Sequence, residues 1–200
     1  MWLVDGHAIR DQLDVEFTNG AHHFTRGYVP HDEIWLDREA PGAGEWQFWA
    51  MRQRIERALM AQGQPYLRAL RTGARIERDE RRLARGIPGP ALPAEVQRSA
   101  RKERLGREGG REIWLVDGRA VRDLAYVDFT LGGHGFRYRF IPRREVWLDD
   151  AVRPSERAFI LHHELVELNL MANAGLSYDL AHARASRAEV ILRKGRRAAA

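Results

Sequence analysis

The sequence Trp-Leu-Val-Asp-Gly occupies residues 2–6 and returns at residues 114–118. With the shift of 112 held constant, 19 of the 36 positions from Trp2 to Asp37 carry an identical residue. Two unrelated segments would share only a few. Because self-similarity at one fixed spacing is the signature of an internal repeat, the sequence predicts a tandem duplication of a small module.

Two copies joined by a linker are the predicted organisation. The N-terminal copy takes residues 1–86 and the C-terminal copy takes residues 112–200. Residues 87–111 form a Pro/Gly-containing basic linker, which begins with Ile-Pro-Gly-Pro-Ala-Leu-Pro, and such residues interrupt regular structure. Within this linker, residues 94–105 are predicted to form a short basic helix.

Each copy is predicted to begin as a sheet. Asp-Gly pairs at 5–6 and 117–118, flanked by apolar residues, are typical of tight hairpins. In the C-terminal copy, residues 127–130 and 136–140 alternate between polar and apolar side chains as strands do, and residues 145–149 form the last strand.

Two helices are predicted to follow each sheet. In the C-terminal copy the helical pattern starts at Pro154 and stops at Gly175, and Ser177 caps a second helix that runs to about Arg193. The predicted fold class is therefore α+β. Each copy has a short antiparallel four-stranded sheet followed by two helices.

Composition limits the class of protein. The 200 residues include 44% hydrophobic residues and six tryptophans, which favours a globular fold over disorder. There is no cysteine, so disulfides and thiolate metal sites are excluded. No apolar run reaches the roughly 18 residues of a membrane span, so we expect a soluble, cytoplasmic protein.

The basic charge is concentrated in the middle of the chain. Residues 52–111 hold 16 Lys and Arg against 7 Asp and Glu, whereas the rest holds 17 against 21. Such a region can contact nucleic acid or an acidic protein partner. A solvated, arginine-rich helical face is an equally simple interpretation.

Residues 159–172 of the predicted helix that starts at Pro154 carry ionisable residues on its apolar face. At 100° per residue, His163, Glu164 and Glu167 project between apolar side chains, whereas His162 lies on the solvated side. Buried charges are costly unless they are paired or bind a metal. This pattern predicts a site at which chemistry takes place.

The N-terminal copy lacks this polar set under the shift of 112. Three of the four positions become apolar, so the fold does not need these polar groups, which favours a functional role in the C-terminal copy. The corresponding residues are Met51 for His163, Arg52 for Glu164, Ile55 for Glu167 and Leu70 for His182.

Three further residues could support the site, although each recurs in the N-terminal copy and is equally explained by packing. Glu189 lies on the same helix face as His182 and could orient a ligand, and His134 could contact a substrate across the sheet. Tyr178 lies one turn before His182. The recurring residues are Glu77, His22 and Tyr66, in the same order.

A divalent metal would use His163, Glu167 and His182 as ligands. Three protein ligands and an open fourth position are typical of catalytic zinc sites, and Glu164 could accept a proton from water. Ligands of nitrogen and oxygen alone also permit Mn²⁺, Fe²⁺ or Ni²⁺. A buried hydrogen-bond network without metal is the alternative interpretation.

The segment His-Glu-Leu-Val-Glu at 163–167 resembles the H-E-x-x-H helix of zincin-type metallohydrolases, with Glu167 where the second histidine would stand. The resemblance implies that His163 is a metal ligand and Glu164 the general base. The longer string from His163 to about Ala185, HELVExNLMxxxGxSYDxAHxxA, also resembles uncharacterised proteins of phage and prophage type. It brings no known substrate.

Two functions follow as expectations. The first is a metal-dependent hydrolase, such as a peptidase or amidase, whose C-terminal copy is active and whose N-terminal copy is a degenerate partner in an intramolecular pseudo-dimer. The second is a non-enzymatic binding protein of the same pseudo-dimeric build. It would contact nucleic acid or an acidic protein through residues 52–111.

Overall fold

The computed structural model describes residues 1–39 and 44–198, with side chains up to residue 196. The described chain is a mixed α+β fold with seven helices and two small sheets, so the predicted fold class is confirmed at that level. Below, residues 1–86 are the N-terminal half and residues 87–198 the C-terminal half.

The N-terminal half contains a three-stranded sheet in the order β1-β3-β2, with β1 parallel and β2 antiparallel to β3. One short helix follows the first strand, and two long helices follow the sheet. The elements are β1 (Trp2–Val4), α1 (Gly6–Gln12), β2 (Gly20–His22), β3 (Ile34–Asp37), α2 (Trp46–Ala61) and α3 (Tyr66–Arg85).

The C-terminal half repeats this order and adds an edge strand, giving β4-β5-β7-β6 with β5 parallel to β7. Its first two elements are α4 (Pro93–Ala100) and β4 (Arg101–Glu108). The others are β5 (Arg111–Val116), α5 (Gly118–Leu124), β6 (Gly132–His134), β7 (Glu145–Asp149), α6 (Pro154–Asn173) and α7 (Tyr178–Ala198).

The Asp-Gly pairs start helices, so the predicted hairpins are wrong. Asp5 and Asp117 are N-cap residues whose carboxylates accept the N–H groups of Ala8 and Ala120 at 3.0 and 2.9 Å. The following glycine is required by space, because a Cβ at Gly118 would lie 2.0 Å from the Asp149 carboxylate. A short helix therefore separates the first strand from the turn region.

Residues 127–130 and 136–140, predicted as strands, lie outside the named strands. Thr130 makes only an isolated bridge to Gly132. The alternating pattern comes from aromatic packing, since the Phe129 and Tyr138 rings meet edge to face at 5.7 Å in the core. The sheets are therefore mixed three- and four-stranded sheets, and the predicted antiparallel four-stranded sheet of each copy is wrong.

The segment predicted as a linker contributes to the second sheet. The predicted helix over 94–105 spans Pro93–Ala100, and the chain continues as β4, which pairs antiparallel with β5. Val96 and Ala100 are buried against Val116 and Trp147, and this apolar contact explains where the helix packs. The boundary at 86 and 111 stays a prediction.

Buried ion pairs join the two halves. Glu45 of the N-terminal half forms an ion pair with Arg122 of the C-terminal half at 2.9 Å. Glu156 of the C-terminal half forms an ion pair with Arg10 of the N-terminal half at 3.1 Å. Each glutamate also pairs within its own half, to Arg81 or Arg193. All six of these groups are at most 4% exposed, so two buried clusters form a charged core between the halves.

Among the described helices, none combines the length and apolar character that a membrane span requires.

Candidate metal centre

Helices α6 and α7 hold the predicted ligands between them. Pro154 fits the first turn of α6 because its missing N–H has no helical acceptor there, and Gly175, at φ 63°, turns the chain towards α7. His163 and Glu167 lie one turn apart on α6 and face α7. His182 lies in the second turn of α7.

The structure brings His163, Glu167 and His182 together. His182 Nδ1 lies 2.8 Å from Glu167 Oε2 and 3.1 Å from His163 Nε2, and the latter atom is 3.7 Å from Glu167 Oε2. A tetrahedral zinc ion with bonds of about 2.0–2.1 Å separates its ligand atoms by roughly 3.3 Å. The three atoms therefore have the spacing of one ligand set.

One ring nitrogen of each histidine contacts a carboxylate outside the ligand set, and the other ring nitrogen faces Glu167. His163 Nδ1 lies 3.0 Å from Glu189 Oε2, and His182 Nε2 lies 2.9 Å from Glu16 Oε2. In the singly protonated form of each ring that binds a metal, the proton would lie on the nitrogen that contacts Glu189 or Glu16. The lone pairs of the remaining nitrogens then converge with Glu167, the arrangement by which carboxylates orient metal-binding histidines.

His134 contacts Glu167 and is excluded as a ligand by its own hydrogen bonds. Its Nδ1 accepts the backbone N–H of Phe136 at 3.2 Å, so Nε2 carries the proton and donates it to Glu167 Oε1 at 2.9 Å. The cluster of His134, Glu164 and Glu167 therefore loses its imidazole donor. His134 holds the Glu167 carboxylate in place.

Glu164 lies beside the ligand set without being part of it. It lines the cavity next to Glu167 and His182. Burial raises the pKa of Glu164 to about 6, and the neighbouring His163 and His134 only partly oppose this. A carboxyl group with a pKa close to neutrality suits a general base.

In the metal-free site, both histidines hold protons firmly. Desolvation lowers the pKa of His163, but the hydrogen bonds to Glu167 and Glu189 outweigh it and raise the pKa to about 10. Hydrogen bonds to Glu16 and Glu167 raise the pKa of His182 to about 9. The carboxylates thus stabilise positive charge at this site, which protons or a metal ion can supply.

The pKa values of the surrounding carboxyl groups fit the same balance. Burial opposes ionisation of Glu16, yet hydrogen bonds from His182 and Ser186 lower its pKa to about 2. Burial likewise opposes ionisation of Glu167, and contacts with three histidines shift its pKa well below the usual range. Both groups stay anionic at neutral pH.

A cavity of about 390 Å³ opens beside this site, between the two halves. The C-terminal half contributes Glu164, Glu167 and His182 to its wall, and the N-terminal half contributes Glu16 and Arg52. Four tyrosines also line it, and a cavity of this size accommodates a small molecule or a short segment of a polymer. The tyrosines are Tyr66, Tyr126, Tyr138 and Tyr178.

The N-terminal half has a corresponding carboxylate cluster with an arginine inside it. Arg52 Nε lies 2.7 Å from Glu56 Oε1, and its Nη1 contacts Glu77 at 3.3 Å and also Asp128. Burial opposes the charge of Arg52, but the three carboxylates raise its pKa above the usual value. A fixed guanidinium therefore supplies the positive charge in this half.

The contacts correct the predicted equivalence of the long helices. Glu45 and Glu156, which make matching ion pairs, are 111 residues apart, although their arginine partners are 112 apart. The N-terminal half has one extra residue between its sheet and α2. Arg52, Gln53 and Glu56 therefore correspond to His163, Glu164 and Glu167; the equivalents Met51, Arg52 and Ile55 are wrong, while Leu70 still corresponds to His182.

A further group of potential ligands is already neutralised. His7, Asp11 and Glu156 lie together near the half-to-half ion pairs. Glu156 forms ion pairs with both Arg10 and Arg193, and Asp11 forms an ion pair with Arg193 at 2.7 Å. These arginines supply the charge that a metal would bring, so this cluster is a structural network.

Glu16 is the site residue that the sequence analysis missed. It lies 166 residues from His182 in the chain, and no local pattern connects such distant positions. One signal was present, because the corresponding residue of the C-terminal half, Asp128, is also acidic. Tyr178, predicted as a supporting residue, stacks on His182 with ring centroids 5.3 Å apart.

The ligand atoms, their hydrogen-bonded partners and the adjoining cavity all lie within described residues. Comparisons with protein-family models, curated protein sequences and solved structures give no match to this chain.

Proposed function

We propose that the protein is a metal-dependent hydrolase whose centre binds a divalent ion, zinc above all, through His163 Nε2, Glu167 Oε2 and His182 Nδ1. One observation carries the proposal. Both histidines have their other ring nitrogen fixed by a carboxylate, at 3.0 and 2.9 Å, so the remaining nitrogens point at one another and at Glu167. Without protons or a metal ion between them, the lone pairs of these atoms would repel.

The remaining residues support hydrolysis. A zinc ion at this site would supply Lewis acidity and lower the pKa of water towards neutrality. Glu164 borders the cavity next to the ligands and would accept the proton of the attacking water and pass it to the leaving group. By analogy alone, an amide or ester bond is the proposed target.

Three residues outside the ligand set hold it in position. Glu189 fixes the ring of His163, Glu16 fixes the ring of His182, and His134 fixes the Glu167 carboxylate. Arg193 in turn binds Glu189 at 2.9 Å. Because the ligands are held before any ion arrives, little reorganisation accompanies binding.

Elemental analysis of purified protein, loaded with Zn²⁺ and passed through gel filtration without chelator, tests the metal. We expect about one ion per chain, a loss of most of it in His163→Ala and in His182→Ala, and no loss in His162→Ala. His162 is the matched control because it neighbours His163 and makes no contact with the ligand atoms. A wild type free of stoichiometric divalent metal would refute the proposal.

We also infer that the two halves arose by duplication and form an intramolecular pseudo-dimer. The identity between 2–37 and 114–149 supports this inference, as do the shared order of three strands and the reciprocal ion pairs of Glu45 and Glu156. On this proposal the N-terminal half lost its metal when arginine came to stand at position 52.

Binding of nucleic acid or an acidic protein by residues 52–111 stays a prediction. Much of this charge is neutralised internally, because Arg52 and Arg81 contact buried carboxylates and Arg101 contacts Glu145. Nucleic-acid binding measured at increasing salt would test it, since phosphate contacts weaken steeply with ionic strength. No observation in the structure raises it to a second proposed function.

A further inference from the structure

Three arginines line the cavity, and they differ in their partners. Arg26 Nε lies 2.7 Å from Asp14 Oδ2, and Arg52 is surrounded by three carboxylates. Arg137 has no ion pair with any acidic residue in the described part of the chain. It is therefore the cation of this cavity whose charge is not already balanced.

Aromatic rings hold the Arg137 guanidinium in place. Its Cζ lies 4.0 Å from the ring centre of Tyr178, 5.3 Å from that of Tyr138 and 5.8 Å from that of Tyr126. Its Nη2 donates to the Tyr126 hydroxyl at a long 3.4 Å, and the Tyr178 hydroxyl is a second neutral acceptor. Cation–π contacts orient a guanidinium, but they leave its N–H groups without strong acceptors.

The position of Arg137 links it to the metal centre. The ring of Tyr178 contacts the guanidinium on one hand and stacks on His182 on the other, with centroids 5.3 Å apart. Glu164 lines the same cavity. A molecule held by Arg137 would therefore lie beside the ligands and the base.

We propose that Arg137 binds an oxyanion group of the substrate, a carboxylate or a phosphate, next to the bond that is cleaved. The role of Arg137 in the reaction rests on the proposed function. The anion site itself depends only on the unpaired guanidinium. Arginine suits the task because its planar fork of donors matches both groups. At the position that corresponds to Arg137, the N-terminal half carries Thr25, which has no positive charge.

Anion titrations of the full chain, after removal of metal by chelation, test the site. The probes are N-acetylglycine and inorganic phosphate, with chloride at matched ionic strength as the reference, and the signal is the set of backbone N–H resonances of residues 136–138 and 178, which every variant retains. We expect saturable shifts with one or both probes, at least about tenfold weaker binding in Arg137→Gln, and partial recovery in Arg137→Lys. Arg26→Gln is the matched control and should bind as the wild type does.

Each outcome bears on the proposal. A preference for N-acetylglycine assigns a carboxylate group, and a preference for phosphate assigns a phosphoryl group. Affinity unchanged in Arg137→Gln, or shifts no larger than those caused by chloride, overturns the inference. Because these titrations use metal-free protein, their failure leaves the hydrolase proposal standing, and a failed metal analysis leaves the anion site standing.

Discussion

Arg52 in the N-terminal half and His163 in the C-terminal half reach corresponding carboxylates from corresponding positions. Arg52 contacts Glu77 at 3.3 Å, and His163 contacts the equivalent Glu189 at 3.0 Å. A guanidinium balances the negative charge of such a cluster permanently, whereas an imidazole balances it only when it is protonated or accompanied by a metal ion. On the proposed function, the two halves differ in the source of the cation that lies beside these carboxylates.

The first prediction is that the N-terminal half can be given a metal site by two substitutions. Arg52→His with Leu70→His places two imidazoles beside Glu56, as His163 and His182 lie beside Glu167. Elemental analysis after zinc loading should rise from about one to about two ions per chain, because three ligands of this kind suffice for zinc.

Leu70→His alone is the control for this prediction, and it should stay near one ion because Arg52 still occupies the cluster. Circular dichroism checks that the double variant folds. If the folded double variant binds no additional metal, Arg52 does not stand in for an ion.

The sequence predicted which polar side chains meet between α6 and α7 better than it predicted the sheets. His163 and Glu167 could be placed on one helix face from their spacing alone, and His182 is the first histidine of the helix that follows. The structure brings all three together. Spacing along helices is local, so a sequence contains it directly.

The errors arose where one local pattern serves two structures. Asp-Gly is compatible with a hairpin and equally with a helix N-cap. Gly118 must be glycine because the side chain of Asp149, which is distant in sequence, occupies the space of a Cβ. The equivalence of Met51 and His163 was wrong because one extra residue before α2 shifts the register without changing the helical pattern. Glu16 was missed because its contact with His182 is formed by the packing of the two halves.

The second prediction concerns Glu16, which reaches the site from the N-terminal half. Glu16→Ala removes the acceptor that fixes the His182 ring, so zinc affinity should fall about 10- to 100-fold. Competition with a chromogenic chelator measures it. Asp128→Ala, the corresponding change beside Arg52, should leave zinc affinity within about twofold; an equal loss in both variants would show a general effect of packing.

The third prediction is that zinc binding releases protons and strengthens as pH rises. His163 and His182, with pKa values of about 10 and 9, are both protonated in the metal-free protein at pH 7. Zinc must displace both protons, so affinity should rise by up to about 100-fold per pH unit below pH 9.

Calorimetry in two buffers of different ionisation enthalpy counts these protons, and we expect about two per ion at pH 7. His182→Gln should reduce the number to about one where residual binding allows measurement. Zinc binding that is independent of pH between 6 and 8 would contradict the assignment of these two ligands.

The fourth prediction addresses the charged core between the halves. Glu45→Gln leaves the buried guanidiniums of Arg81 and Arg122 without their shared carboxylate, which should cost about 3–5 kcal/mol of unfolding free energy. Urea denaturation measures this loss. Asp79→Asn breaks the exposed pair with Arg75 and should cost at most about 0.5 kcal/mol; similar midpoints for both variants would refute a stabilising role of the core network.

The fifth prediction separates the base from the ligands. Glu164→Gln keeps the size of the side chain but cannot accept a proton, so hydrolysis of a substrate found in a panel of peptides, amides and esters should fall about 10²- to 10⁴-fold. Zinc content should stay unchanged, because Glu164 is outside the ligand set. In the wild type, kcat/KM should rise with pH through about 6, since the base works only when ionised and its pKa lies there. A Glu164→Gln variant that keeps both its zinc and its rate would show that another group accepts the proton.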